Sequence, residues 1–219
     1  MDATFRAGLR AAFPIVVGYL PIAVAFGAAA ASAGLDWMPA GAISAIVWSG
    51  AGQFALVSAL AAGTGLAPAI LLCSLLALRH LLYGPVLAER LPAGRVRLAL
   101  AFFLTDEVFA TALATSGPIA APWLFGLGMA AYLAWLVGTL AGALLGRGLE
   151  ALAPSLSEAM RYALPALFIA IAWLHVNRRT ALPMLVAGVV ALGVASQAGA
   201  TAGIFAGAAA GCLAGWRRR

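Results

Sequence analysis

The sequence predicts an all-α, polytopic integral membrane protein. It should have about seven transmembrane helices, between roughly six and eight, some short or broken, in a single membrane domain over residues 1–219. Three observations lead there. Of the 219 residues, 64% are hydrophobic and only 9% charged, against about a quarter charged in a soluble domain. The mean hydropathy is +1.04. The apolar residues fall in runs near the ~20 that span a bilayer as a helix, with most charges in the gaps between them. A soluble enzyme is excluded for want of polar surface to cover a core, and so is a disordered chain. A nucleic-acid binder needs clustered base on a wettable face, whereas here a net charge of +6 comes from arginines spread over short gaps.

The first run, Ala11–Ser32, follows Arg6 and Arg10 and carries Pro14, Gly18 and Pro21. It is too long for a signal peptide and reads as an uncleaved first membrane segment. Pro39–Ala62, Leu66–Leu87, Leu98–Thr115 and Trp123–Leu145 follow as spans. Tyr162–Leu174, Leu182–Ala195 and Thr201–Trp216 are short for full spans.

Arginine placement should report orientation. Arginines mark the N-terminus (Arg6, Arg10), the 88–97 loop (Arg90, Arg95, Arg97) and the 147–161 loop (Arg147, Arg161). They also mark the 175–181 loop (Arg178, Arg179) and the tail (Arg217, Arg218, Arg219); the gaps at 33–38, 63–65 and 116–122 have none. If every group is cytoplasmic, the crossings between groups must be even. Yet three segments separate the first two groups, and one separates the 147–161 and 175–181 loops. A non-spanning or broken segment in each half repairs the count, and the Gly/Pro-rich first segment and Tyr162–Leu174 are the expected ones. Such paired segments point to a transporter core with an internal repeat, and Arg10-x-x-x-Pro14 echoes Arg161-x-x-x-Pro165. The alternative is that one or two arginine clusters violate the rule.

Most segments hold no ionisable group, so the exceptions are informative. Leu66–Leu87 contains Arg79, His80 and Tyr83, and Leu98–Thr115 contains Asp106 and Glu107. A charge at mid-bilayer costs roughly 2.5–3.5 kcal/mol on insertion scales, so these groups should pair or line water. Pro92, Ala93 and Gly94 signal a turn. Arg79 lies 13 residues before Pro92 and Asp106 14 after it, which an antiparallel helical hairpin sets level near mid-membrane. Asp106 is expected to pair with Arg79. Glu107, about 100° further round the helix, cannot face the same partner squarely, which leaves Glu107 or His80 to titrate. The plain alternative is a static salt bridge that locks two helices.

Ser49-Gly50-Ala51-Gly52-Gln53-Phe54 makes a second polar island near the centre of Pro39–Ala62. Gly50 and Gly52 bare the backbone, and Gln53 brings a donor and an acceptor that must find partners in lipid. An unwound turn here would offer carbonyls and N–H groups to a zwitterionic ligand. Gly18, Pro21 and Gly27 offer similar chemistry, since proline frees the carbonyl one turn back. Phe54 and Phe109 are candidate apolar walls, and Tyr83, which shares a helix face with Arg79, joins the substrate-binding set.

Gly138, Gly142 and Gly146 recur at every fourth position, as do Gly203, Gly207, Gly211 and Gly215. Residues so spaced share a face and admit a close helix neighbour. That neighbour is either a helix of the same bundle or, on the sharper reading, a partner subunit or second copy. Cys73, Cys212, His80 and His175 lack metal-site or disulfide-framework spacing, so neither metal nor cofactor is expected. The chain has no lysine, which excludes a P-loop, and no catalytic constellation appears. An ion gradient, or no energy source at all, remains.

These residues, in this order, resemble the AzlC family, the large subunit of branched-chain amino-acid exporters. The likeness runs through Pro21–Gly27, Ser49-Gly50-Ala51-Gly52-Gln53-Phe54 and Leu78-Arg79-His80-Leu81-Leu82-Tyr83-Gly84. It continues in Phe103-Leu104-Thr105-Asp106-Glu107-Val108-Phe109 and Leu164-Pro165-Ala166-Leu167-Phe168-Ile169. The Arg-His-x-x-Tyr-Gly and Thr-Asp-Glu-x-Phe pair is the specific part. Where the family usually has Asn two positions before the arginine, this chain has Ala77. The resemblance implies export of branched-chain amino acids, with methionine a further candidate, driven by the proton motive force, from a bacterial cytoplasmic (inner) membrane. It also implies a small hydrophobic AzlD-like membrane subunit as partner. The expectation is thus a permease subunit of a secondary transporter, handling an amino acid and protons in the lipid bilayer, with no nucleic acid. A passive channel and a non-transporting assembly subunit are the alternatives.

Overall fold

The computed structural model describes residues 3–63, 65–152, 155, 169, 173 and 176–216. No strand occurs among them. The chain divides into two compact units, Met1–Leu164 and Pro165–Arg219.

In the first unit, α1 (Phe5–Ala11) is capped by the Thr4 hydroxyl, which accepts from the Ala7 N–H at 3.2 Å. It leads into α2 (Phe13–Ser32), which has Pro14 in its first turn, where a missing N–H loses no bond. α2 runs unbroken through Pro21, so the break expected in the first segment is absent. A membrane helix tolerates an internal proline when its neighbours and small local adjustments satisfy the freed carbonyl. Beside it lies the longest helix, α9 in chain order (Ala121–Leu152). A Cβ on Gly8 would strike the Trp123 backbone, one on Gly138 would come within 2.7 Å of Ala23 Cβ, and one on Gly142 would strike Val24. The register rises together on both helices, so they run parallel, drawn close by their glycines.

α2 then serves as a ruler for the segment read as the span Pro39–Ala62. This segment forms two helices, α3 (Trp37–Ile46) and α4 (Gly50–Ala61). Ala40 of α3 shares a buried cluster with Phe26 and Ala30 in the second half of α2. Trp48, between the two helices, meets Tyr19 in the first half at 6.2 Å. Phe54 of α4 is back beside Phe26 at 5.3 Å, and Val57 rejoins the cluster of Ala30 and Ala40. The chain enters, reverses at Val47-Trp48-Ser49, and leaves by the face it entered. A straight helix would set Ser44 and Gln53 ~13 Å apart along its axis; they are hydrogen-bonded at 3.3 Å.

A turn through Gly63 and Gly65 (φ +71° and +87°) leads into α5 (Leu66–Ala77), antiparallel to α4, with Cys73 opposite Gly52 and Ala69 packed with Leu56. α5 continues through one tight turn at Leu78 and Arg79 into α6 (His80–Leu87). Together they make a 22-residue run long enough to cross a membrane.

The segment read as the span Leu98–Thr115 also reverses. It forms α7 (Val96–Phe102) and α8 (Asp106–Ala114), separated by Phe103-Leu104-Thr105. The Arg97 guanidinium at the start of α7 donates to the Leu91 and Pro92 carbonyls. Just beyond α8, the Thr115 hydroxyl and the Gly117 carbonyl each accept from the Arg90 guanidinium at 2.9 Å. The Arg90 carbonyl itself accepts from the Ile119 N–H at 2.8 Å. Both ends of α7–α8 therefore meet one loop, and this segment does not cross. α8 runs parallel to α6, with Arg79 beside Asp106 and Arg90 beside Thr115. The sequence count set the first pair level on an antiparallel hairpin; the pair is level because the chain has turned back.

Among its described residues the first unit thus holds three helical runs long enough to cross a membrane, α2, α5–α6 and α9, and two re-entrant hairpins that enter from opposite faces. Two crossings separate Arg6 and Arg10 from Arg90, Arg95 and Arg97, so these clusters share a face. Parity between these two clusters is met by α3–α4 rather than by the first segment, but the re-entry of α7–α8 leaves one crossing before the next cluster, so the expectation that every arginine group shares a face fails there. Arg147 follows at the opposite end of α9. Tyr162–Leu174, Arg161-x-x-x-Pro165 and the Leu164–Ile169 motif lie outside the described residues, apart from isolated positions.

In the second unit, α10 (Ala181–Ala198) and α11 (Ala200–Trp216) form an antiparallel pair about Gly199 (φ +87°). Gly203 and Gly207 press on Ala191, Gly211 on Ala187, and Gly215 lies nearest Pro183. With 18 residues, α10 is long enough to cross, longer than the sequence reading allowed.

Candidate functional site

The tips of the two hairpins converge on the middle of α2 and α9. Each returning arm begins there with a hydroxyl N-cap. Ser49 starts α4 from an extended backbone (φ −151°, ψ 104°) and accepts from the Gly52 N–H at 3.4 Å. Thr105 starts α8 (φ −88°, ψ 176°) and accepts from the Val108 N–H at 3.4 Å. Ser, Thr, Asp and Asn are the residues that start helices this way, so a lone hydroxyl ahead of Gly-Ala-Gly or Asp-Glu marks each restart.

The first tip is neutral and closed. The reversal strips the Val47 carbonyl of a helix partner, and the Gln53 amide donates to it. Gln53 Oε1 accepts from Trp135 Nε1 at 2.9 Å and from Ser44 Oγ at 3.3 Å, and Ser44 Oγ lies 2.7 Å from Thr139 Oγ1. Gln53, Ser44 and Thr139 are fully buried. The rings of Tyr19, Trp48, Tyr132 and Trp135 pack edge to face around this network, with Tyr19–Trp135 and Trp48–Tyr132 both at 5.1 Å. The Tyr132 hydroxyl donates to the Ala45 carbonyl at 3.2 Å.

The second tip is ionic. Arg79 grips Asp106 with two nitrogens, Nε to Oδ1 at 2.9 Å and Nη2 to Oδ2 at 2.8 Å, and spends Nη1 on the Leu76 carbonyl at 2.9 Å. Such a forked pair fixes geometry as well as charge. The Tyr83 hydroxyl also donates to Asp106, and the Tyr83 ring stacks on Phe109 at 4.4 Å. His80 Nδ1 lies 2.9 Å from the Ala77 carbonyl and its ring meets Tyr83 edge-on. Glu107 takes a different partner. The Tyr19 hydroxyl reaches both Thr105 Oγ1, at 2.8 Å, and the Glu107 carboxylate. Arg79–Asp106 is the ion pair found among the described residues, so Glu107 is held by a neutral hydroxyl. Both carboxylates occupy the first turn of α8, where the helix dipole favours negative charge.

Arg79, Asp106, Tyr83, Phe109, His80 and Glu107 therefore lie together, and Ser49 and Gln53 lie at the other tip. Other expected site residues do not join them. Gly18 and Pro21 are exposed, with nothing near a Cβ on Gly18. Gly27 packs on the backbone of Thr139 and Ala143. Gly50 and Gly52 make room for the Trp135 ring and for Cys73, and Phe54 packs on Phe26. The glycine faces read as partner seats are filled within the chain: Gly138 and Gly142 by α2, and Gly203, Gly207, Gly211 and Gly215 by α10. The surroundings of Gly146 are outside the description.

The sequence reading missed Tyr19, Ser44, Trp48, Thr105, Tyr132, Trp135 and Thr139. Ser44, Thr105 and Thr139 carried a signal, a hydroxyl in an apolar run that must find a partner in lipid. The aromatic residues carried none, because their role depends on which helices meet.

A family model described as AzlC protein matches residues 14–149, from the second residue of α2 to near the end of α9. The chain is 36% identical to the inner membrane protein YgaZ of Escherichia coli, over 87% of this chain and 81% of that protein. It is 34% identical to an uncharacterised membrane protein of Archaeoglobus fulgidus, over 87% of this chain and 84% of that one. No solved structure matches the chain.

Proposed function

The chain belongs to the AzlC family, and from that premise we propose that it is the permease subunit of a secondary transporter that exports branched-chain amino acids under the proton gradient. Membership supports a role in membrane transport. The observation that carries the finer reading is the meeting of two oppositely directed re-entrant hairpins at a carboxylate, Glu107, held by neutral donors and not by a cation. Broken helices whose N-termini converge at mid-membrane suit a polar substrate in secondary transporters. The aromatic walls suit a side chain that is apolar. In this reading Arg79–Asp106 is the fixed charge that holds α6 to α8. Glu107 carries the proton, and exchanging its Tyr19 partner couples protonation to movement of the second tip. Gly18, Pro21 and Gly27 have no part in substrate binding. A small hydrophobic AzlD-like subunit belongs to the proposal and seats on a face other than the two glycine stripes.

Efflux of labelled leucine from vesicles tests this, with and without a proton gradient, for the chain alone and with its small subunit. The expected result is saturable efflux accelerated by the gradient. Unsaturable flux indifferent to the gradient contradicts the proposal and leaves a passive channel.

A further inference from the structure

Four aromatic residues with polar tips crowd the hairpin junction, and three of those tips are satisfied. Trp135 Nε1 donates to Gln53, the Tyr132 hydroxyl to Ala45, and the Tyr19 hydroxyl to Thr105 and Glu107. The fourth differs. Trp48 Nε1 is buried and has no acceptor. Its ring cannot easily turn to find one, being bracketed by Tyr132 at 5.1 Å, Tyr19 at 6.2 Å and Trp135 at 6.4 Å. It also sits in the non-helical reversal of the first hairpin, between Val47 and the N-cap Ser49, where a hinge movement would carry it. A buried donor without a partner is costly to keep, and native proteins satisfy nearly all of them. An apolar ring of the same shape would fill this place without that cost.

We infer that the Trp48 indole N–H is the donor that receives the carboxylate of the transported amino acid. The inference rests on the amino-acid reading above and adds a residue to it. Indole is a donor only, so it selects an acceptor group and offers nothing to an ammonium. Glu107, on the other side of Tyr19, is an acceptor of the kind the ammonium requires.

The test compares the full chain with Trp48→Phe, which keeps a smaller aromatic ring and removes the donor. Calorimetric binding of leucine and of 3-methylbutylamine, which has the same side chain and amine but no carboxylate, separates the roles. Trp48→Phe should weaken leucine about tenfold, the worth of one hydrogen bond to a charged group, and leave the amine unchanged. Equal weakening of both, or undiminished leucine binding, overturns the inference. The ligand-free melting temperature guards against a folding defect. It should fall only modestly in Trp48→Phe, by the cost of the cavity the smaller ring leaves; loss of the cooperative transition, with leucine and amine binding lost together, overturns the inference. Failure of the parent protein to bind leucine removes the substrate reading and this assignment together. Leucine binding by the parent protein that Trp48→Phe fully retains removes the assignment alone.

Discussion

The two hairpin tips are built alike and filled differently. Each is a reversal of three residues whose last is a hydroxyl N-cap, Ser49 in one and Thr105 in the other. The first tip is closed by an uncharged network in which Gln53, Ser44, Thr139 and Trp135 satisfy one another in full burial. The second gathers Arg79, His80, Tyr83, Asp106 and Glu107, and Glu107 has neutral partners and no cation. On the proposed function the difference separates holding from switching. A neutral, saturated network has one good arrangement, whereas a carboxylate bound by Tyr19 has two, charged and protonated.

The largest way to break this contrast is at the closed tip. Gln53→Leu strands the buried Trp135 N–H and takes one bond each from the Val47 carbonyl, which keeps the Ser49 N–H, and from Ser44, which keeps Thr139. At roughly 1–3 kcal/mol for the one buried orphan, with two further hydrogen bonds lost, it should cost about 3 kcal/mol, read from SDS-driven unfolding.

Next comes the ion pair. Arg79→Ala leaves Asp106 without its cation. Both side chains are 32% exposed, so the loss is smaller than for a fully buried pair, about 2 kcal/mol. Combining Arg79→Asp with Asp106→Arg should recover much of that stability. Full recovery of leucine efflux in the swapped protein would confine the pair to a clamp.

The caps sharpen the likeness between the tips. Ser49→Ala and Thr105→Ala should each cost about 1 kcal/mol. Thr105→Ala should cost the more, because Thr105 also accepts from Tyr19 at 2.8 Å.

The smallest effect on stability belongs to the residue with the largest proposed role. Glu107→Gln keeps an acceptor for Tyr19 and should change stability by less than about 0.5 kcal/mol. It should nonetheless abolish the acceleration of efflux by a proton gradient while leaving leucine exchange. Gradient-driven efflux equal to the parent's would move the proton elsewhere.

Much of this was legible in the sequence. The membrane class follows from composition, and the Arg79–Asp106 pairing from the cost of lone charges in lipid. The need for a non-spanning segment before Arg90 follows from arginine parity, whereas α7–α8 runs against it and sets Arg147 on the other face. Their identity did not follow. Hydropathy is blind to direction: Pro39–Ala62 and Leu98–Thr115 are as apolar and nearly as long as real spans, and a reversal needs only three residues. Gly18 and Pro21 looked like the break because they are helix-breaking residue types, yet α2 absorbs them. The real reversals are marked by Ser49 and Thr105, ordinary hydroxyls whose N-cap role shows only once the backbone ahead of them is extended. The glycine stripes announced a close neighbour, and of the two readings offered the structure takes the first, a helix of the same chain.

The central claim is that the two hairpins enter from opposite faces and return to them. Single cysteines at Asp36, Ala62, Ala93 and Ser116, in a chain with Cys73 and Cys212 replaced, report it directly when labelled with a membrane-impermeant maleimide from each side of sealed vesicles. The account predicts that the Asp36 and Ala62 positions label from one side, and the Ala93 and Ser116 positions from the other. Labelling of Asp36 and Ala62 from opposite sides, or of Ala93 and Ser116 from opposite sides, would make those segments true spans and contradict it.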